Sequence, residues 1–143
     1  MKKLEKCIIA YECWQMQCCG DPIKVGEEVN LEIETYTEPY ELAGFHIDFN
    51  EEHHHGMTAV AKGTVKQIKV VFLEEYANSE NRFDDPNNVF SVYDLDYADG
   101  WEGIDNCGKH TPSDFFNYLI FMENVTIEDY RINNKTPKVI TYV

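Results

Sequence analysis

Apolar residues in this chain recur at every second position, and that period limits the fold more than any other feature of the sequence. Val29, Leu31 and Ile33 share one side of an extended segment, with Asn30, Glu32 and Glu34 on the other. Phe45, Ile47 and Phe49 repeat the pattern, as does the segment Val89–Tyr97. Residues 58–73 read as one long or bent strand, in which Gly63 marks a bulge or sharp bend. The compact apolar runs Cys7–Tyr11, Tyr118–Met122 and Val139–Val143 suit buried strands. Gly20-Asp21-Pro22 and Val25-Gly26-Glu27 supply turns, and the polar stretch 74–88 reads as a mobile surface loop. Thr111 as N-cap, Pro112 at the first helical position and an acid in the first turn predict a helix of one or two turns. Six or seven short strands separated by turns define an all-β chain, mainly β with at most one or two short helices, folded as a barrel or sandwich. A length of 143 residues predicts a single domain, 1–143.

Charge narrows the function. There are 26 acidic against 12 basic residues, a formal charge of −14, and arginine occurs only at Arg82 and Arg131. Nucleic-acid binding requires Lys and Arg to neutralise phosphates, so no nucleic-acid partner is expected. An anionic membrane surface is disfavoured for the same reason, and no apolar run spans a bilayer. A basic protein partner or a bound cation is compatible with this charge, although acidic surfaces also serve solubility alone. The basic start Met1-Lys2-Lys3 is followed at once by Glu5 and Lys6, and the apolar stretch after it is too short for a signal peptide. With an odd count of five cysteines, the chain reads as cytoplasmic.

Soft and borderline metal ligands are concentrated in two short segments. Cys18 and Cys19 are adjacent, and His53, His54 and His55 form a run. Neighbouring residues of a strand point to opposite faces, so the two thiols meet one ion only if the backbone turns; otherwise one fills the core and the other a turn. On an extended segment His53 and His55 share a face and His54 points away. The same run beside Glu51 and Glu52 also fits a solvated, pH-sensitive loop. Cys107-Gly108-Lys109-His110 matches half of a zinc-site spacing and reads equally as ordinary turn residues. The carboxylate pairs follow from composition, no phosphate-cradling glycine loop is present, and no serine has a nucleophile-elbow context. Trp14 and Trp101 read as core or rim aromatics.

Trp14-Gln15-Met16-Gln17-Cys18-Cys19-Gly20, then Pro22 and Val25-Gly26-Glu27-x-Val29, then His54-His55-Gly56 and Gly63-Thr64-Val65, together resemble a bacterial family known only as a domain of unknown function. The resemblance spans residues 7–70. It implies kinship without chemistry, and it singles out Cys18, Cys19, His54 and His55 as the thiol and imidazole positions, with His53 outside. A backbone that is not extended over 53–56 reconciles this with the strand geometry. Separately, Pro-x-x-Val-Gly-Glu-x-Val followed by Gly-Thr-Val-x-x-Ile is similar to the first strands of small SH3-like or OB-like barrels, a likeness of shape alone.

The reading is therefore a β-barrel binding module with a metal site at Cys18, Cys19, His54 and His55, with Zn²⁺ as the cofactor. The alternative is an acidic interaction or immunity-type protein that captures a basic protein partner. An enzyme with Cys18 or Cys19 activated by histidine is a third reading, disfavoured because no orienting group can be named.

Overall fold

The structure, a computed structural model, describes residues 2–54 and 56–129. In chain order its elements are β1 (Lys2–Glu12), α1 (Cys13–Cys19), β2 (Ile23–Lys24), β3 (Glu28–Glu34), β4 (Tyr40–Leu42) and β5 (Phe45–Ile47). There follow β6 (Phe49–Glu51), β7 (Ala59–Glu75), β8 (Val89–Leu95), β9 (Tyr97–Ala98), a 3₁₀ turn at Ile104–Asn106 and β10 (Phe116–Asp129). The chain is mainly β, as the alternation predicts. The strand expected at Val139–Val143 lies outside the described residues.

One six-stranded sheet carries the fold, in the order β10-β1-β6-β3-β7-β8, and β10 pairs with β7 as well. The ladders of β1, β10, β7, β3 and β6 thus lead back to their start. Most pairings are antiparallel, but β1 meets β6 in parallel at Ile9↔Phe49 and Ala10↔Asn50. This parallel step brings the end of β6 beside the end of β1, where α1 begins.

Both faces of the central strands are buried. Cys7, Ile9 and Tyr11 of β1 join Phe116, Tyr118, Ile120 and Met122 of β10 and Ile68, Val70 and Phe72 of β7 in the main core. Ala10, Val71 and Leu119 face the other way, under Leu42 and Ile47 of the β4–β5 hairpin. Each large side chain so buried contributes about 1.5–3 kcal/mol. Period 2 places alternate residues in separate cores, which is why these strands read as unbroken apolar runs.

Gly63 marks an irregularity that lies opposite it rather than in its own strand. β10 slips register between Glu123 and Thr126, with Asn124 at φ 55°. A Cβ on Gly63 would sit 3.0 Å from the Glu123 carbonyl oxygen, so the glycine admits the bulge of its partner. The 76–88 loop is pinned by Asn88: its Oδ1 accepts from Ala77 N (2.7 Å) and its Nδ2 donates to the Arg82 carbonyl (2.7 Å).

One helical expectation is corrected, and one helix was not foreseen. The helix expected after Thr111 is a turn. Thr111 Oγ1 accepts from Ser113 N at 3.2 Å, and Asp114 Oδ2 accepts from Thr111 N at 2.9 Å. These capping groups close a turn because Phe116 is already committed to the buried strand β10. The helix that does form, α1, covers Cys13–Cys19, just before the Gly20-Asp21-Pro22 turn, where the sequence marked no element. It is seven residues long, with no side-chain cap at Glu12 and no acid in its first turn. So short a helix is marginal by itself, and tertiary contacts hold it. Cys13, Gln15 and Met16 are buried, and Gln17 Nε2 donates to the Gly100 and Pro112 carbonyls, both at 2.9 Å.

Candidate metal centre

The last turn of α1 carries Cys18 and Cys19, and the segment leaving β6 carries His53 and His54. The strand order brings these two chain segments together. Cys18 Sγ lies 3.1 Å from Cys19 Sγ and 3.6 Å from His54 Nε2. Cys19 Sγ lies 3.1 Å from His54 Nε2 and 3.3 Å from His53 Nε2. The donor atoms of Cys18, Cys19 and His54 all fall within 4.8 Å of one another. Both thiols are free and exposed.

The backbone at His53 and His54 is not extended, as the resemblance requires if His54 is to face the cysteines. β6 ends at Glu51 and the backbone bends at His53 and His54, so strand alternation no longer applies. His53, which the resemblance leaves out, touches Cys19. His55 lies outside the described residues. The two cysteines converge because they end a helix, not a strand; their side chains project from the final turn toward the same side of the β6 exit. Gly20 makes that ending possible. A Cβ there would meet the Tyr11 hydroxyl and lie 2.9 Å from Met16 Cα.

Gln15 orients the histidines, and sequence reasoning missed it. Its side chain is 1% exposed and bridges α1 to the β6 exit. Nε2 donates to Glu52 Oε1 (3.1 Å) and, at the limit of length, to the Glu51 carbonyl (3.5 Å). Oε1 accepts from His53 N at 3.3 Å and lies 3.1 Å from His54 Nδ1. A backbone N–H can only donate, which fixes the amide with its oxygen toward the histidines. An amide oxygen only accepts, so His54 Nδ1 carries the proton. The Nε2 lone pair of the neutral ring is thereby turned toward the two thiols.

Glu51 was likewise missed. Its Oε2 lies 2.5 Å from His53 Nδ1, with side-chain exposures of 3% for the glutamate and 13% for the histidine. Burial, then the charges of Glu52 and Glu32, push the Glu51 carboxyl up to about 8, with the Tyr11 hydroxyl opposing. Its Oε1 is buried without a hydrogen-bond partner among the described residues. The Cys19 thiol is held above the usual cysteine value, first by its contact with Cys18, then by desolvation and the charges of Cys18 and Glu51. Trp14, 45% exposed, stacks on His54 with ring centroids 5.1 Å apart. It is a rim aromatic covering one side of the cluster.

Cys107 and His110 do not join this group. Cys107 is buried and its thiol donates to the Gly103 carbonyl at 3.4 Å. His110 Nε2 lies 2.6 Å from Glu74 Oε2, and its ring stacks on Phe72 at 3.9 Å.

The protein is mainly β, with a sulfur–imidazole cluster at the junction of a helix end and a strand exit whose Cys18, Cys19 and His54 donor atoms could hold a metal ion. The chain belongs to a family of unknown function, DUF6578, whose model matches residues 5–124. The match reaches past residues 7–70, where the resemblance was legible, and takes in β8, β9 and most of β10. No curated protein and no solved structure matches the chain. No described helix is long and apolar enough to cross a membrane.

Proposed function

We propose that the protein is a metal-binding module whose Cys18, Cys19 and His54 side chains take a divalent d¹⁰ ion, Zn²⁺ by the chemistry of the donors. The observation that carries this reading is the convergence of three soft or borderline donor atoms within 4.8 Å. For tetrahedral zinc, bonds of about 2.3 Å to sulfur and about 2.0–2.1 Å to nitrogen give edges of roughly 3.8 Å between thiolates and roughly 3.6 Å between thiolate and nitrogen. The Cys18–His54 separation of 3.6 Å equals its edge, while the Cys18–Cys19 and Cys19–His54 separations, both 3.1 Å, are short by roughly 0.7 and roughly 0.5 Å, so the donors spread to admit the ion. Elemental analysis of protein purified without chelator tests the reading. About one zinc per chain is expected, with loss in Cys18→Ser and His54→Ala. Metal-free protein that also fails to take up added zinc ends it.

The raised Cys19 thiol gives no support to Cys19 as a nucleophile, which needs a lowered one. A second reading has its own observation. A cavity of about 430 Å³ is lined by Glu12, Glu34, Glu51, Glu52 and Asp84, with no Lys or Arg among its described residues. Burial first, then Glu12, Glu34 and Asp84, push the Tyr40 hydroxyl up to about 12. This negative pocket supports capture of a basic protein partner. Such binding weakens steeply with salt; salt-independent binding, or no capture of basic proteins at low salt, counts against it.

A further inference from the structure

We infer that His53 Nε2 is the fourth ligand, so that the ion sits in a closed Cys₂His₂ shell with no open coordination position. The inference rests on the metal-binding reading above and specifies what kind of site it is.

Three contacts support it. His53 Nε2 lies 3.3 Å from Cys19 Sγ, close to the roughly 3.6 Å edge of a tetrahedral zinc site. The His53 and His54 rings stand with centroids 4.3 Å apart and planes 32° apart, and the Nε2 atoms of both reach Cys19 Sγ. The far nitrogen of each ring has an oxygen partner: Glu51 Oε2 for His53 at 2.5 Å and Gln15 Oε1 for His54 at 3.1 Å. Metal-bound histidines characteristically hold their second nitrogen this way, because the acceptor fixes the tautomer, aims the ring and raises its basicity. A chance meeting of two histidines with two cysteines does not require both remote nitrogens to be held.

His53 approaches from the Cys19 side and stands outside the group of three, so binding draws its nitrogen inward while the two sulfurs separate toward roughly 3.8 Å. Cys18 and Cys19 bind as thiolates, their protons passing to solvent. The filled shell ties the end of α1 to the exit of β6. It leaves no place for a substrate or an activated water, which makes the ion a clamp rather than a catalyst.

Cobalt(II) substitution of the full chain tests this. The wild-type protein is expected to show the intense visible bands of a four-coordinate site with thiolate charge transfer, unmoved by azide or free imidazole. In His53→Ala a position opens, so azide and imidazole shift the bands and affinity falls by about 10–100-fold. His53→Gln serves if the alanine variant does not fold. Glu51 is a positioning residue. Glu51→Ala is expected to weaken cobalt by about 10–100-fold with the four-coordinate spectrum kept, and Glu51→Gln, which retains an acceptor, to restore most of the affinity. Wild-type bands that shift with azide, or a position opened by His55→Ala and not by His53→Ala, overturn the assignment while leaving the metal site standing. Failure of the wild-type protein to bind cobalt or zinc overturns both.

Discussion

Replacing Gln15 by leucine tests the site and the fold together. The two residues are close in size, and the side chain is 1% exposed, so the change removes polar atoms without opening a large cavity. Two of the four Gln15 contacts are well made, at 3.1 Å to Glu52 Oε1 and 3.1 Å to His54 Nδ1. The others, at 3.3 and 3.5 Å, are long and count for little. Both contacts are only partly buried, so each group that loses Gln15 costs about 1 kcal/mol. The apolar leucine offsets part of this, leaving a net loss of about 0.5–2 kcal/mol and a melting point lower by roughly 2–6 °C. Zinc affinity is expected to fall by about 10–100-fold, because His54 loses the acceptor that holds its tautomer. Gln15→Glu separates the two effects. It keeps an oxygen toward His54 but adds a carboxylate beside Glu51 and Glu52, so the metal-free protein loses stability that bound zinc restores. Thermal melts with and without zinc, alongside competition titration of the metal, make the measurement. A Gln15→Leu variant that melts within about a degree of wild type and binds zinc equally well refutes the bridging role.

Because Trp14 stacks on His54, zinc titration is expected to change tryptophan emission; the response should vanish in Trp14→Phe and persist in Trp101→Phe, and a response carried by Trp101 contradicts the geometry. Gly20→Ala places a Cβ 2.9 Å from Met16 Cα, a backbone atom that cannot swing aside. Calorimetry should show a loss of about 1–3 kcal/mol, together with weaker metal binding as the cysteine pair is displaced; unchanged melting removes the packing argument. The Glu74 carboxyl is held below its usual value by hydrogen bonds from Ser91 first and then His110. A lowered folded value means its stabilisation is present above the unfolded value near 4.5 and is lost as pH falls through the folded one. Urea midpoints measured between pH 6 and about pH 3 should therefore fall less steeply for Ser91→Ala than for wild type, and parallel curves refute the assignment.

Much of the site was visible in the string Trp14 to Gly20, but only as a list of ligand types. Trp14 covers His54, Gln15 aims the histidines, Met16 enters the core, Gln17 ties the helix to Gly100 and Pro112, and Gly20 lets the chain pass Met16. None of these roles is local. Gln15 reads as a surface residue until the β6 exit is placed against it, and Glu51 reads as one more acid in an acidic chain. The Thr111 motif shows the reverse error: a sound local signal for a helix lost to the burial of Phe116 in β10.

What the sequence determined alone was the β character of the chain, because alternation records which side of a strand is dry, and that follows from neighbouring residues. It also determined the kinds of donor atom present. Tertiary structure decided that β1 lies parallel to β6, that seven uncapped residues form a helix, and that His53 meets Cys19. Those outcomes depend on contacts between segments 34 or more residues apart, whose free energy exists only after the strands have paired, and no local pattern encodes it.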